Sequence, residues 1–192
     1  PDRRKVVPPN PYADCRSTGL PVTYGSGMSD TKPATLELTL DEVEETTRRS
    51  LIRHGADHDV SALVARAVRV AEGNGNRICG LYYLESYCLQ LESGRIDGVA
   101  EPVVTTDRPG AVRVDGRLGF AQSAFAAGFP TAVAAARANG ICGMSVEHTH
   151  TCTSLGYFTE QFAREGLLAI GATNASPRVS PPGGSVPVLG TN

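Results

Sequence analysis

The chain has 192 residues, with 18 Lys and Arg against 20 Asp and Glu and a formal net charge of −2. This balance provides no basic excess for nucleic acid or anionic lipid. A hydrophobic content of 41% argues against wholesale disorder. No apolar run has the length of a membrane span or a signal peptide, so we expect a soluble, cytoplasmic protein. Five cysteines without CxxC spacing favour reduced thiols over a disulfide framework or a zinc site.

Composition divides the chain into three segments. Residues 1–35 hold six of the 13 prolines and predict an irregular Pro/Gly-rich arm. Residues 36–98 predict a helical region, and residues 99–192 an α/β region. The last segment stops at Asn192 on an apolar stretch without a polar tail, so we expect it to be incomplete without a following or partner chain.

Local signals predict three helices in the helical region. The run Thr39-Leu-Asp-Glu42 has the pattern of a capping box and begins the first helix, which Gly55 ends. Asp59 is the expected cap of the second helix. The third helix is predicted from about Gly80 to Glu92.

The α/β region begins with a hairpin signal, two β-prone runs around Asp107-Arg-Pro-Gly110. An Ala-rich helix follows, and Pro130 in its middle predicts a kink or two helices. Two buried strands are then predicted, separated by a helix, which makes a crossover unit. The predicted segments are Ala121–Asn139 (helix), Ile141–Val146 (strand), Leu155–Glu165 (helix) and Leu167–Ala172 (strand).

Several stretches of the sequence resemble one known family. They are LESGRIDG, VRVDGRLGFAQSAF, LGYFTEQFAREGLLAIGATNASPRVSPPGG and the final LGTN. Together, from about Leu36 to Asn192, they are similar to the N-terminal half of the type-2 malate/L-lactate dehydrogenases, which include ureidoglycolate dehydrogenase and the piperideine-2-carboxylate reductases. The resemblance implies a non-Rossmann α/β fold, a chain roughly twice as long, a dimer, and a nicotinamide site near the subunit interface.

The catalytic residues that the resemblance implies are replaced in this chain. The family carries a Ser-His-Gly-x-x-Arg-type motif at its third helix, and the His and Arg positions here are Cys79 and Tyr83. The family's second His corresponds to Thr151, with His150 one residue early. Since neither Cys nor Thr exchanges protons as imidazole does, hydride-transfer catalysis is expected to be lost or rebuilt. The alternative is that His150 fills the role.

The same residues allow other chemistry. His148, His150 and Cys152 occupy alternate positions, as metal ligands on one face of a strand would. The favoured interpretation is that they are polar residues in a cleft loop, and we predict no metal. Cys79, at the start of a predicted helix, is either a nucleophile or a buried structural thiol. The remaining candidate substrate contacts are Tyr83, His148, Thr173, Asn174, Gly183, Gly184 and Thr191.

The loss of the imidazoles and the chain end at Asn192 lead to a first hypothesis. It is autoproteolysis after Asn192, which makes this the α-chain of a two-chain hydrolase or acyltransferase. A partner chain from the same precursor would supply an N-terminal Thr, Ser or Cys nucleophile, and no cofactor would be needed. Cys79, His150, Thr151 and Asn192 are its predicted catalytic residues. We expect a small-molecule substrate and a homo-oligomer of the two-chain unit, with no nucleic acid and no membrane.

Two other hypotheses stay open. One is a reductase of a 2-oxo acid or cyclic imine that uses NAD or NADP, with His150 as the acid. The other is a non-catalytic binding subunit, supported by the replaced residues alone.

Overall fold

A computed structural model describes residues 37–150, 152–175, 177 and 179–190. The predicted arm therefore lies outside the described residues. Two helices, α1 (Leu40–Arg53) and α2 (His58–Gly73), pack together through their apolar faces. The buried side chains of this pair include Val43, Leu51, Val60, Val64 and Val68.

The predicted capping box at the start of α1 is confirmed. The Glu42 N–H donates to the Thr39 hydroxyl at 3.2 Å, and the Thr39 N–H donates to the Glu42 carboxylate at 2.8 Å. These bonds satisfy N–H groups that have no acceptor within the helix. The cap of α2 is Asp57 rather than the predicted Asp59, because the Asp57 carboxylate accepts the Asp59 N–H at 2.8 Å.

The third helix begins later than the sequence predicts. Two 3₁₀ turns, Arg77–Cys79 and Leu81–Tyr83, precede α3 (Leu84–Glu92). A carboxylate from α2 holds the second turn, since Glu72 accepts the Leu81 N–H at 2.8 Å. This contact comes from a neighbouring helix, and between the two turns Gly80 has a non-helical backbone, with φ of −96° and ψ of −134°.

A three-stranded sheet forms the centre of the α/β region. Its strands are β1 (Val103–Arg108), β2 (Ala111–Asp115) and β3 (Gly143–Glu147), in the order β1-β2-β3. The antiparallel pairing of β1 with β2 confirms the predicted hairpin. Strand β3 is parallel to β2, as a crossover through α4 (Ala121–Asn139) requires. The crossover unit is thus β2-α4-β3, one step earlier than predicted.

Helix α4 is one continuous element through Pro130, so the two-helix alternative is wrong. The residue after it, Gly140, has φ of +78°, a left-handed conformation that suits glycine at a helix end. Four phenylalanines of α4 and α5 (Leu155–Arg164) form an aromatic cluster with ring centroids 4.8 to 5.5 Å apart. Among the helices of the described residues, none is long and apolar enough to cross a bilayer.

The two buried strands predicted after α4 are not found as predicted. Strand β3 covers part of the first, and its side chains alternate between exposed and half-buried. The second, Leu167–Ala172, is not a strand, and Leu168 and Ile170 are 95% and 94% exposed. An apolar run predicts burial, and the described part of the chain places nothing over these two side chains.

Candidate functional site

Three loops lie side by side where the helical and α/β regions meet, joined by backbone hydrogen bonds. They span residues 94–98, 116–120 and 148–150. The Asp97 N–H donates to Leu118 at 3.0 Å, and the Leu118 N–H donates to His148 at 2.7 Å. The His150 N–H donates to the Gly119 carbonyl of the middle loop at 2.9 Å. We call this arrangement the three-loop site; it brings the turn after α3 next to His150.

The middle loop approaches its neighbours closely at Gly119. A Cβ at this position would lie 2.8 Å from the Ala100 Cβ and 3.0 Å from the Gly116 carbonyl oxygen. Both distances are far shorter than van der Waals contact allows. Only a residue without a side chain fits here, so Gly119 sets the spacing of the loops.

His150 is half-buried in the three-loop site, and its surroundings disfavour the charged ring. Burial is the main cause that lowers the pKa of His150, and the positive charge of Arg95 lowers it further. The backbone carbonyl of Arg95 acts in the opposite direction, because as a hydrogen-bond acceptor it favours the protonated ring. The surroundings therefore favour the neutral imidazole, and Arg95 is the charged residue that contributes to this effect.

His148 faces a different neighbour. Its Nδ1 lies 3.1 Å from an Asp115 carboxylate oxygen, and the residue is exposed with φ of +51°. The hydrogen bond from the Arg117 N–H is the main cause that lowers the pKa of Asp115, and the hydrogen bond and charge of His148 lower it further. Because β3 ends at Glu147, His148 and His150 do not share one strand face as the metal interpretation requires. The described residues contain no group of three metal-ligating side chains.

Cys79 and Tyr83 lie in a cluster around the Tyr87 hydroxyl, together with Cys152 and Thr153. Tyr87 is fully buried, and its ring stacks on Tyr83 with centroids 6.1 Å apart. Burial raises the pKa of Tyr87, the Thr153 hydroxyl offsets part of that rise, and Cys79, Tyr83 and Cys152 add to it. The Thr153 hydroxyl donates to the Cys152 carbonyl at 2.8 Å. The Thr153 hydroxyl is close enough to affect Tyr87, but it donates to Cys152, and no group of the described residues makes a hydrogen bond of ordinary geometry with the Tyr87 hydroxyl.

The premise for a reactive Cys79 is wrong. Cys79 ends a 3₁₀ turn, and α3 begins five residues later at Leu84. The dipole of an α-helix therefore does not act on this thiol as the predicted helix start implied. The four cysteines that the structure describes are free thiols.

An apolar groove of about 640 Å³ runs between α4, β3 and α5 and is closed on one side by residues 167–173. Thr149, Cys152 and Thr173 are among the residues that line it. Cys152 thus belongs to both the groove and the Tyr87 cluster. The volume lies within the range of small-molecule sites, and the lining residues that the structure describes are all uncharged.

The other predicted substrate contacts do not line this groove. Asn174 is exposed, and Gly183 and Gly184 lie in an exposed turn. The Gly184 N–H donates to Pro181 at 2.9 Å, and Gly183 has φ of +77°, as the third residue of a type II turn requires. Thr151, Thr191 and Asn192, which the sequence also singled out, lie outside the described residues.

Sequence reasoning missed Arg95 and Glu72. Each is a charged residue in or next to a turn and resembles an ordinary solvated side chain. No local pattern marks the proximity of Arg95 to His150 or the contact of Glu72 with the turn that follows Cys79. Both depend on how separate segments pack.

Comparison with known proteins gives a consistent result. A family model described as malate/L-lactate dehydrogenase matches residues 38–192. The chain is 35% identical over 151 residues to the Delta(1)-pyrroline-2-carboxylate/Delta(1)-piperideine-2-carboxylate reductase of Pseudomonas putida, covering 79% of this chain and 44% of that protein. It is 34% identical over 156 residues to the (2R)-3-sulfolactate dehydrogenase (NADP(+)) of Chromohalobacter salexigens, with 81% and 46% covered.

Solved structures agree with this similarity. The delta1-piperideine-2-carboxylate reductase of Pseudomonas syringae pv. tomato matches with a TM-score of 0.66 and 30% identity, over 69% of this chain and 40% of that one. The malate dehydrogenase of Pyrococcus horikoshii matches with a TM-score of 0.72 and 23% identity, over 81% and 44%, which supports the fold alone. The expected α/β fold is confirmed. The chain spans about half the length of the curated relatives it matches.

These similarities overturn the first hypothesis. The relatives are reductases and dehydrogenases, so the interpretation as an autoproteolytic hydrolase or acyltransferase with an N-terminal nucleophile is wrong. The replaced residues and the position of Asn192 do not outweigh similarity to oxidoreductases over about four fifths of the chain. The prediction that no cofactor is needed loses its basis together with that hypothesis.

Proposed function

The chain belongs to the malate/L-lactate dehydrogenase family, and from this premise we propose that it takes part in the NAD(P)H-dependent reduction of a 2-oxo acid or a cyclic imine carboxylate. The observation that carries the proposal is the 35% identity to a pyrroline- and piperideine-2-carboxylate reductase. Since the chain spans about half the length of that relative, the proposal concerns the protein in which this segment acts.

His150 is the proposed proton donor. Reduction of a C=O or C=N bond adds hydride to carbon and a proton to oxygen or nitrogen, and imidazole is the side chain best matched to that transfer near neutral pH. The positions where the resemblance expects imidazole hold Cys79 and Thr151. His150 directly precedes Thr151 in the sequence and is half-buried at the three-loop site.

The apolar groove fits the uncharged end of a nicotinamide cofactor but not its diphosphate. Its aromatic and aliphatic walls suit a flat ring, and the hydroxyls of Thr149 and Thr173 are suitable neighbours for a carboxamide. Among the described residues, those that line it carry no charge that could pair with phosphate. When bound, the cofactor would supply the hydride, while this chain's residues would exclude water from the ring and His150 would donate the proton.

A second candidate is a binding subunit without catalysis. It is favoured by one observation, the Cys79 and Tyr83 side chains at the positions where the resemblance expects His and Arg. Oxidation of NADPH separates the candidates, because a binding subunit retains affinity for the acid without turning it over. We also propose a small-molecule substrate and a homo-oligomer, the latter testable by light scattering of the purified protein.

The test of the reductase is the loss of NADH or NADPH absorbance with a panel of 2-oxo acids, pyrroline-2-carboxylate and piperideine-2-carboxylate. Replacing the proton donor, His150→Gln, is expected to lower kcat by about 10²- to 10⁴-fold. His58→Gln, on the exposed first turn of α2, is the matched control. Wild-type protein that oxidises neither cofactor with any of these acids contradicts the proposal.

A further inference from the structure

Three non-glycine residues with a left-handed backbone meet in the three-loop site. Arg117, Leu118 and His148 have φ of +48°, +66° and +51°. A Cβ makes this conformation unfavourable, so neighbouring contacts have to hold it. The two loops that contain these residues are bonded directly, because the Leu118 N–H donates to the His148 carbonyl at 2.7 Å. Strained backbone of this kind concentrates where a protein has to hold functional groups in place.

Asp115 contacts both strained segments. It is the last residue of β2, and the sheet pairs it with Glu147 of β3. Its Oδ1 accepts the Arg117 N–H at 2.9 Å and lies 3.1 Å from Nδ1 of His148. The Asp115 and His148 side chains are 42% and 63% exposed, and an ion pair as exposed as this adds little to stability. Its effect is geometric, since one oxygen joins the two loops where their backbones are left-handed.

Gly116 brings the side chain of Thr149 against the middle loop. A Cβ at Gly116 would overlap the Thr149 methyl group and lie 3.1 Å from the Ala124 Cβ. The Gly116 N–H donates to the Glu147 carbonyl at 2.9 Å, which fixes the start of the neighbouring loop. Thr149 also lines the apolar groove. The turn that begins at Asp115 therefore contacts a side chain in the groove wall.

We propose that Asp115 is a positioning residue that holds residues 148–150 on the middle loop. It thereby sets the place of Thr149 in the groove wall and of His150 in the three-loop site. The inference rests on the proposed function for what these two residues do, which is to contact the nicotinamide and to donate the proton. Loss of the Asp115 carboxylate should weaken cofactor binding and slow proton transfer together, because both side chains lie on the segment that it holds.

The test compares Asp115→Ala with Asp115→Asn in the 192-residue chain. Alanine removes both contacts, whereas asparagine keeps an oxygen in the same place to accept from Arg117 and His148. Asp115→Ala is expected to raise the KM of the nicotinamide cofactor and to lower kcat by about tenfold or more, because misplaced reacting groups lose rate steeply. Asparagine should restore most of both. The matched control is Asp107→Ala, which removes another exposed carboxylate of the sheet, 3.5 Å from an Arg113 nitrogen, and should change neither.

A second readout does not require turnover. The methyl resonance of Thr149 and the imidazole resonances of His150, observed by NMR, report the places of these side chains directly. Both should shift in Asp115→Ala and stay close to their wild-type positions in Asp115→Asn and Asp107→Ala. His148→Gly removes the same contact, and glycine adopts a left-handed backbone without steric cost, so this variant carries the test if Asp115→Ala does not fold.

The two readouts separate this inference from the proposed function. If wild-type protein oxidises neither cofactor but Asp115→Ala shifts both resonances, the proposed function fails and the positioning by Asp115 holds. If Asp115→Ala remains folded with the kinetics and resonances of wild type, the inference is overturned. A loss of stability alone, with both resonances unmoved, shows a merely structural residue and overturns it as well.

Discussion

His150 and Gly119 are joined through the backbone, with the His150 N–H donating to the Gly119 carbonyl at 2.9 Å. The Ala121 N–H in turn donates to the His150 carbonyl at 3.1 Å. Gly119 and Ala121, at the start of α4, therefore hold both the N–H and the carbonyl of His150. A side-chain substitution at position 150 leaves these two backbone hydrogen bonds in place. Replacing the imidazole should change its chemistry and leave the loop in place.

Gly119→Ala is expected to lower the free energy of unfolding by about 1–3 kcal/mol, as overpacking does. The new methyl would meet Ala100 at 2.8 Å, and the loops would have to separate. Urea denaturation followed by circular dichroism measures the change. Gly143→Ala, where a Cβ meets nothing within 4 Å, is the matched control. Equal stability of the two variants would contradict the close approach.

The stability of the chain should depend on pH through His150. Its pKa is lowered in the folded state, so just below the ordinary value of 6.5 the unfolded chain binds more protons. The free energy of unfolding should therefore fall as the pH falls through 6.5 towards the folded-state pKa. The measurement compares urea denaturation at about pH 7.5 and about pH 5.5. His150→Gln should show a smaller fall than wild type, and His58→Gln the same fall.

Tyr87→Phe is expected to leave stability unchanged or raise it by about 1 kcal/mol, because it removes a buried hydroxyl that has no partner within the described residues. Tyr87→Ala, which also removes the ring, should cost about 3–5 kcal/mol. Thermal and urea unfolding of the two variants distinguish the hydroxyl from the ring. A loss of more than about 1 kcal/mol in Tyr87→Phe would show that the hydroxyl has a partner after all.

Thr39→Ala should lower the free energy of unfolding by about 1 kcal/mol, the usual value of an N-cap side chain. The hydroxyl that accepts the Glu42 N–H is lost. Thr39→Ser keeps an oxygen in the same place and serves as the control. Helix content by circular dichroism and the midpoint in urea give the result, and identical midpoints for the alanine and serine variants would refute the role of the cap.

Elements defined by neighbouring residues were predictable from the sequence. The capping box at Thr39 and the hairpin between β1 and β2 each depend on a few consecutive residues, and both are present. The family resemblance is likewise confirmed, because it rests on specific motifs spread along the chain.

Features that depend on packing between segments were not predictable. The turn that precedes the third helix is bonded to Glu72 of α2, a contact that no helix-propensity rule includes. The apolar run at residues 167–172 predicts a buried strand, yet Leu168 is exposed in the described chain. Arg95 appears in the sequence as an ordinary turn residue, and its relation to His150 arises only when three loops are brought together.

The exposure of the Leu168 and Ile170 side chains has a consequence for the handling of the protein. Sulfate and phosphate strengthen apolar contacts by being excluded from protein surfaces, so precipitation of this polypeptide should begin at modest concentrations of these salts. Strand β3 is an edge strand of the sheet in the described residues, and its outer peptide groups can form hydrogen bonds with another molecule. Dilute preparations in chloride buffers are the conditions under which its binding constants should be measured.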